Sequence, residues 1–256
     1  FSGLKDFTSS LPNTFDRGGV VIHNGRNIIK KIDTPQGSFV VKNFKGMYLF
    51  NRLAYSFFRR SKAARSYVFS RILNEKGVVT PPHVGWIDCY TLGLLKSSYF
   101  VSVYYPYMTL GETLQYYSVY DPNYKSLLLK DLAGYVKRLH ESDIYHEDLS
   151  VGNILVMRKL KGYDFALVDL NRIKFHNVSF RDALRNLTTL QLDRRDLEVL
   201  ITEYASLCGE PAKPAIETFW KYENRKSSLR RLRRTIRRYT ITKVEQLLGQ
   251  AHVLSL

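Results

Sequence analysis

Apolar and polar residues alternate along "VVIHNGRNIIKKIDTPQGSFVVKN" (20–43), with Val and Ile dominating the apolar positions. A period of two marks a half-buried strand. "HNGR" and "TPQG" carry the turn residues that cut the run into three strands of a meander. Residues 48–76 hold no strong breaker and read as one helix ending at Gly77, with "TPP" beyond it. "TLGLL" and "SSYFVSVYY" then read as two further strands, the second rich in aromatic and β-branched residues. After "DPN" the period lengthens. Leu128, Leu132, Tyr135, Val136 and Leu139 recur at i, i+4, i+7, i+8 and i+11, one apolar stripe of a helix. A polar turn follows, then "NILVM" and "FALVDL" as a hairpin around "RKLKGYD", and from Ser179 the pattern is helical to the end. The pattern predicts an α+β chain with a β-rich N-terminal half and a helical C-terminal half.

Composition changes this picture little. A chain of 256 residues can bury the core of one large domain or of two small lobes sharing a cleft. Cys89 and Cys208 are too few for a disulfide framework, so a reducing compartment is expected. Charge changes it more. Lys plus Arg number 39 against 23 Asp plus Glu, a net +16, which favours an anionic partner such as a nucleotide, nucleic acid, acidic glycolipid or membrane surface. The longest uncharged stretch, Ser97–Gly111, is too short and too polar to span a bilayer. "FSGLKDFTSS" has no basic segment leading into an apolar one, so no secretory signal is expected.

The candidate chemistry sits in "YHEDLSVGNILV" (145–156), of the form His-x-Asp-x-x-x-x-Asn, with Asp169 closing the apolar strand sixteen residues after Asn153. Taken alone, Asp148 and Asn153 could simply cap a turn, and Lys42, in "FVVKNF", could be a solvated strand lysine. The arrangement resembles the catalytic loop and metal-binding Asp of the protein-kinase-like superfamily. That resemblance implies roles. Asp148 accepts the proton of the acceptor hydroxyl, and His146 holds the turn in shape. Asn153 and Asp169 offer hard oxygens to Mg²⁺, while Lys42 grips the phosphates of ATP.

"SKAARSYVFSRILNEKGVVTPPHVGW" (61–86) and "VDLNR" (168–172) resemble the lipopolysaccharide core kinases, the Kdo/heptose kinase family. The likeness extends over residues 18–205 and is strongest in 61–86 and 144–173. It implies a bacterial enzyme that phosphorylates a sugar hydroxyl of the lipopolysaccharide inner core, acting at the cytoplasmic face of the inner membrane. It also implies a bilobal fold. Residues 1–107 would form a nucleotide-binding N-lobe of five strands and a helix; residues 108–256 would form a C-lobe with the catalytic loop, metal site and basic helices.

This chain departs from the family pattern in places. Asn171 stands where His is more usual, and Ser66 occupies the place of the helix Glu that pairs with the strand lysine. The one remaining carboxylate of that helix is Glu75, near its end. Lys42 would then rely on another acid or on phosphates alone, which keeps open a nucleotide-binding pseudokinase scaffold. Another small-molecule or atypical protein kinase is a further alternative. "HNGRN" (23–27) has a single glycine; Gly25 and Arg26 could cradle phosphate, though an ordinary hairpin turn fits equally well. "YYPYMTLGETL" (104–114) falls where the fold connects its lobes, so main-chain groups of Tyr105 to Tyr107 would meet adenine. No Ala-Pro-Glu follows Asp169, which argues for a small or glycolipid acceptor over a docked peptide.

"RKSSLRRLRRTIRR" (225–238) carries eight cations, with Leu229, Leu232 and Ile236 on one stripe that would pack on the lobe. It reads either as a solvated helix face or as a patch for an anionic membrane surface or lipopolysaccharide phosphates. No nucleic acid is expected, because base-stacking aromatics are not interleaved. "MYLFNRLAYSFFRRSK" (47–62) is a second aromatic-basic stretch, suited to a membrane interface or to the core face of a helix.

Overall fold

The structure, a computed structural model, describes residues 4–45, 59–120 and 122–253, with the side chains of 117–123 and 237–253 outside the description. Five antiparallel strands form the first sheet: β1 (Val20–Asn24), β2 (Ile28–Thr34), β3 (Gly37–Asn43), β4 (His83–Thr91) and β5 (Leu94–Val103), in the order β1-β2-β3-β5-β4. Cross-strand partners share a face. Val41 opposite Val101 and Phe39 opposite Val103 therefore point to one side, and Lys42 opposite Phe100 to the other.

The first side is covered by helix α1 (Lys5–Thr14), whose Leu4, Leu11 and Phe15 flank join Phe39, Val41, Tyr99 and Val101 in a compact core. The second side receives helix α2 (Lys62–Glu75). Tyr67 of α2 lies edge-on to His83 at 4.6 Å and tilts against Trp86 at 4.7 Å, and Ser70 Oγ meets His83 Nδ1 at 3.1 Å. The sheet is thus a filled sandwich, and Lys42 is buried on its α2 side.

The rest of the chain builds a mainly helical lobe from α3 (Leu110–Tyr120), α4 (Pro122–Glu141), α5 (Phe180–Leu187), α6 (Arg194–Leu207) and α7 (Ala212–Val253). Leu128, Leu132, Tyr135, Val136 and Leu139 of α4 are all buried, as the stripe predicts. They pack with Leu200, Ile201 and Tyr204 of α6 and with the hairpin of β7 (Ile154–Arg158) and β8 (Tyr163–Leu167). A small pair, β6 (Ile144–His146) and β9 (Ile173–Phe175), brackets the polar turn 147–153 and the segment after Asp169. The lobes are stitched through α2: Leu73 belongs to the C-lobe core and Phe69 meets Phe175 edge-on at 5.2 Å. Beside them Thr80 Oγ1 donates to Leu167 O at 2.8 Å, and Leu167 N to Val79 O at 3.0 Å.

Several boundaries differ from the sequence reading. "TLGLL" is no strand of its own: Leu92 and Gly93, at φ 50° and 74°, form a two-residue hairpin turn between Thr91 and Leu94. The left-handed backbone that such a turn needs suits Gly93, and the exposed Leu92 tolerates it. Helix α2 begins later than residue 48 suggests among the described residues, because Ser61 Oγ accepts the Ala64 N–H and caps it; residues 46–58, with most of the 47–62 stretch, lie outside the description. Helix α1 escaped notice because Ser, Thr and Pro12 dilute its apolar stripe, and Thr8 and Ser10 hydroxyls bond back to its own carbonyls. Helix α3 begins inside the segment that the sequence assigns to the connector (104–114) and runs beyond it.

The largest correction concerns α7. Leu229, Leu232 and Ile236 are not buried against the lobe but are 47%, 55% and 56% exposed. The helix is held by Ala215 and Phe219, buried at its start, and every described residue from Ser228 to Ile236 is exposed. At 1.5 Å per residue its 42 residues run about 60 Å.

Phe15 is the keystone of the outer N-lobe core: its ring meets Tyr99 edge-on at 5.5 Å, and the Lys30 ammonium sits over it at 4.9 Å. Phe15→Ala should cost about 3–5 kcal/mol, the usual range for emptying such a site, read as a lowered denaturant midpoint at unchanged slope.

Candidate active site

Strand β6 delivers His146 into the turn, and its pairing to β9 places His146 opposite Ile173. His146 is fully buried, and its Nδ1 accepts the Asp148 N–H at 3.2 Å. Burial holds its pKa below the ordinary histidine value, outweighing the nearby Asp169 and Asp148 carboxylates. A neutral ring that accepts at Nδ1 carries its proton on Nε2. Asn153 Nδ2 donates to Asp148 O at 2.8 Å, which closes the turn and leaves the amide oxygen as the group's acceptor.

The turn rests on buried polar partners that its own sequence does not contain. Asn186 Nδ2 donates to His146 O at 2.8 Å, and Thr189 Oγ1 to Leu149 O at 3.0 Å. Behind Asn186, its Oδ1 meets His140 Nε2 at 3.1 Å, and His140 Nδ1 meets Tyr204 Oη at 2.9 Å. An amide oxygen only accepts, so Nε2 carries the His140 proton and Tyr204 donates to Nδ1. Burial depresses the His140 pKa to about 4. Sequence reasoning missed these residues; the available signal was a polar residue on an apolar helix face, as Asn186 is between Leu184 and Leu187.

Asp169 lies just past β8. Val168 N donates to Asn153 O at 3.0 Å, extending the β7–β8 ladder so that Asn153 and Asp169 become neighbours. Asp169 itself takes a left-handed backbone, φ 56° and ψ 51°, a conformation that costs a non-glycine residue on the order of 1 kcal/mol and is common at functional sites. Its Oδ1 accepts Lys42 Nζ at 2.6 Å and also the Asn171 side-chain amide. Burial raises the Asp169 pKa, but Lys42, His146 and Arg172 together pull harder, and the group ends below the ordinary carboxylate value. Ser66 is buried with its hydroxyl bonded to Lys62 O at 2.9 Å. The carboxylate that Lys42 meets is therefore Asp169, with no helix acid involved.

Arg172, four residues from Val168 in "VDLNR", was given no role by the sequence reading, yet its Nη1 pairs with Asp148 Oδ2 at 3.2 Å. A second cation stands at the start of α2. The Lys62 pKa is lowered first by burial and then by Arg26, Arg65 and Arg172, with Asp169 opposing. Arg26 of the β1–β2 turn thus shares the field of this cluster. Gly25 donates its N–H to Asn27 O at 3.2 Å within that turn. Tyr105 and Tyr107 lie in the connector, their rings edge-to-face at 5.5 Å, between the anchors Tyr104 N to Ser38 O and Val156 N to Met108 O, both 2.9 Å. The structure thus gathers Lys42, His146, Asp148, Asn153 and Asp169. It leaves Gly25, Tyr105 and Tyr107 without an ion pair or side-chain hydrogen bond to that group.

Among the described residues no cluster of three or more His, Cys, Asp or Glu could hold a metal. One carboxylate and one amide oxygen fit an ion that keeps water and phosphate ligands, as Mg²⁺ does. His140 makes the support of the turn acid-sensitive. Its folded pKa lies below its unfolded one, so the unfolded chain binds the proton first as pH falls, and stability is lost between about pH 6.5 and about pH 4. The loss should be on the order of 3 kcal/mol. Urea midpoints measured across that range should show the slope, and His140→Gln should flatten it.

No curated protein matches this chain. Among solved structures, WaaP in complex with acyl carrier protein matches 88% of this chain and 95% of its own, with a TM-score of 0.60 at 17% identity, a likeness of fold. That fold is the kinase-like one, with a β-rich N-lobe and a helical C-lobe. A family model described as "Lipopolysaccharide kinase (Kdo/WaaP) family" matches residues 48–207, which hold Asp148, Asn153 and Asp169, and so the chain belongs to that family of kinases.

Proposed function

We propose that the protein transfers the γ-phosphoryl group of ATP, with Mg²⁺, to a hydroxyl of Kdo or heptose in the lipopolysaccharide inner core. The observation that carries this reading is the 2.6 Å contact of Lys42 Nζ with Asp169 Oδ1, beside Asn153 and the Arg172–Asp148 pair. It brings Lys42, Asp169, Asn153 and Asp148 together, and we read them as the phosphate-binding cation, the two metal ligands and the proton acceptor; we draw the boundary between the lobes at 107/108. Asp148 takes the proton of the acceptor hydroxyl while its oxygen forms the new O–P bond, and the bond from phosphorus to the β-γ bridging oxygen breaks, leaving ADP. Asp169 and Asn153 would hold Mg²⁺, which neutralises charge on the phosphate oxygens. Lys42 would exchange Asp169 for the phosphates. Gly25, Arg26 and the Tyr105 and Tyr107 main chain would border the nucleotide.

Transfer of radiolabelled γ-phosphate to purified core glycolipid tests this. Asp169→Ala should abolish transfer, and Asn153→Ala should weaken it less, since water can replace a neutral ligand. Asp148→Asn should keep ATP affinity and lower turnover roughly 10²- to 10⁴-fold. Full activity of the Asp169 variant would refute the assignment. Nucleotide binding by the wild type without transfer to any acceptor would favour the pseudokinase scaffold, the reading that Ser66 supports.

We also propose a peripheral site of action, on the cytoplasmic face of the bacterial inner membrane. No helix among the described residues is long and apolar enough to cross a membrane. The exposed Leu229, Leu232 and Ile236, with Arg230, Arg231, Arg233 and Arg234 around them, make an amphipathic face suited to an anionic surface; the side chains of Arg237 and Arg238 lie outside the description. Each cation near such a surface contributes about 1 kcal/mol. Replacing those four arginines with Gln should release the protein from anionic vesicles in a sedimentation assay, and added salt should do the same. Equal binding of the wild type and the variant would mark a merely solvated helix.

A further inference from the structure

Strand β1 is not regular. Val20 lies opposite Lys31 and Val21 opposite Lys30, but the register then shifts and His23 lies opposite Ile29. Side chains alternate along a strand, so strict alternation from Val20 would send His23 to the α1 side together with Val21. The extra residue, Ile22, turns it over. Ile29 lies opposite Lys42, and cross-strand partners share a face, so the imidazole comes to the Lys42 side. Bulges that re-aim one side chain in this way are over-represented beside active sites. On that side two rows of partners cross the sheet. Val20, Lys31 and Val40 form the row at the connector end, where the Lys31 ammonium sits over the Tyr104 ring at 4.9 Å. His23, Ile29 and Lys42 form the row at the β1–β2 turn end. Two strand spacings, about 10 Å, separate His23 from Lys42 within it. Helix α2 packs on β4 and β5, whereas β1 is exposed along its whole length.

Gly25 makes room for the ring. A Cβ on Gly25 would stand 2.7 Å from His23 Nε2, and the next two atoms it would meet, at 3.5 and 3.6 Å, belong to the same imidazole. The Gly25 N–H is already engaged inside the turn, with Asn27 O at 3.2 Å. The one glycine of "HNGRN" therefore offers no free amide to an anion; what it offers is a seat for a side chain that can donate. We propose that His23 is a nucleotide-binding residue, whose imidazole, seated over Gly25, donates a hydrogen bond to a phosphate oxygen of the nucleotide that Lys42 holds from the other end of the row. This rests on the kinase reading above and gives to a side chain the contact that backbone N–H groups make in a glycine-rich phosphate loop. An imidazole donates from one nitrogen when neutral and from both when charged, so the contact is available in either state.

Calorimetric titration with ATP in the presence of Mg²⁺, and displacement of ATP by adenosine, test this without any acceptor. His23→Ala should weaken ATP binding about tenfold or more, the size of one hydrogen bond to a charged group, and leave adenosine binding nearly unchanged. His23→Gln, which keeps an N–H donor, should retain most of the ATP affinity. Gly25→Ala should weaken ATP binding as His23→Ala does, because its methyl displaces the ring. The double variant should then be no weaker than either single one, since with the ring gone the methyl displaces nothing. Melting temperatures identify a variant that does not fold; should that be His23→Ala, His23→Leu takes its place. If His23→Ala binds ATP as wild type does, or loses ATP and adenosine equally, the proposal is overturned and the kinase reading stands. Losses at His23 and Gly25 that simply multiply in the double variant overturn it likewise. A wild type that binds no ATP overturns both readings together.

Discussion

The ion pair between Lys42 and Asp169 is the constraint on which the rest of this molecule depends. Both side chains are largely buried, 10% and 23% exposed, and burying either charge alone would be costly. Each therefore has to be carried to the other by its own lobe. The central position of β3 delivers the lysine on the α2 side of the sheet, and the β7–β8 hairpin delivers the carboxylate at its end. The left-handed backbone of Asp169 is the local strain that this meeting requires, and α2, packed on the sheet through Tyr67 and rooted in the C-lobe core through Leu73, keeps the lobes at the distance that permits it. On the kinase reading proposed above, this pair is the resting state of a site whose two charges would part when a nucleotide enters.

Behind the turn a second, quieter device operates. Tyr204, His140 and Asn186 form an unbroken line of hydrogen bonds from the C-lobe interior to the His146 carbonyl. Satisfied buried networks of this kind specify one geometry more sharply than apolar packing does. The position of Asp148 is thereby determined from below by helices α4, α5 and α6, and from the side by Arg172.

Much of this was legible in the sequence because it rests on periodicity and spacing. The α4 stripe, the meander and the spacing from Asp148 to Asn153 to Asp169 are all local patterns, and each is where the pattern puts it. What escaped was non-local. Helix α1 exists because the outer face of the sheet needs cover, which its polar sequence does not announce. Asn186 and Arg172 matter through contacts 40 and 24 residues away, which no window can see. The stripe on α7 was misjudged for a related reason. An apolar face states that something can cover it; only the length of the lobe decides whether the protein itself does.

Helix α7 has a further consequence of a metric kind. Lys226, which holds Thr188 behind the candidate turn, and Ile236, on the exposed stretch, are ten residues of one continuous helix apart, about 15 Å along its axis. On the proposed reading, in which the exposed turns settle on a surface, that surface and the candidate turn stand at a fixed offset. The helix would then act as a ruler, its length setting how far from the surface a group has to stand to reach the turn.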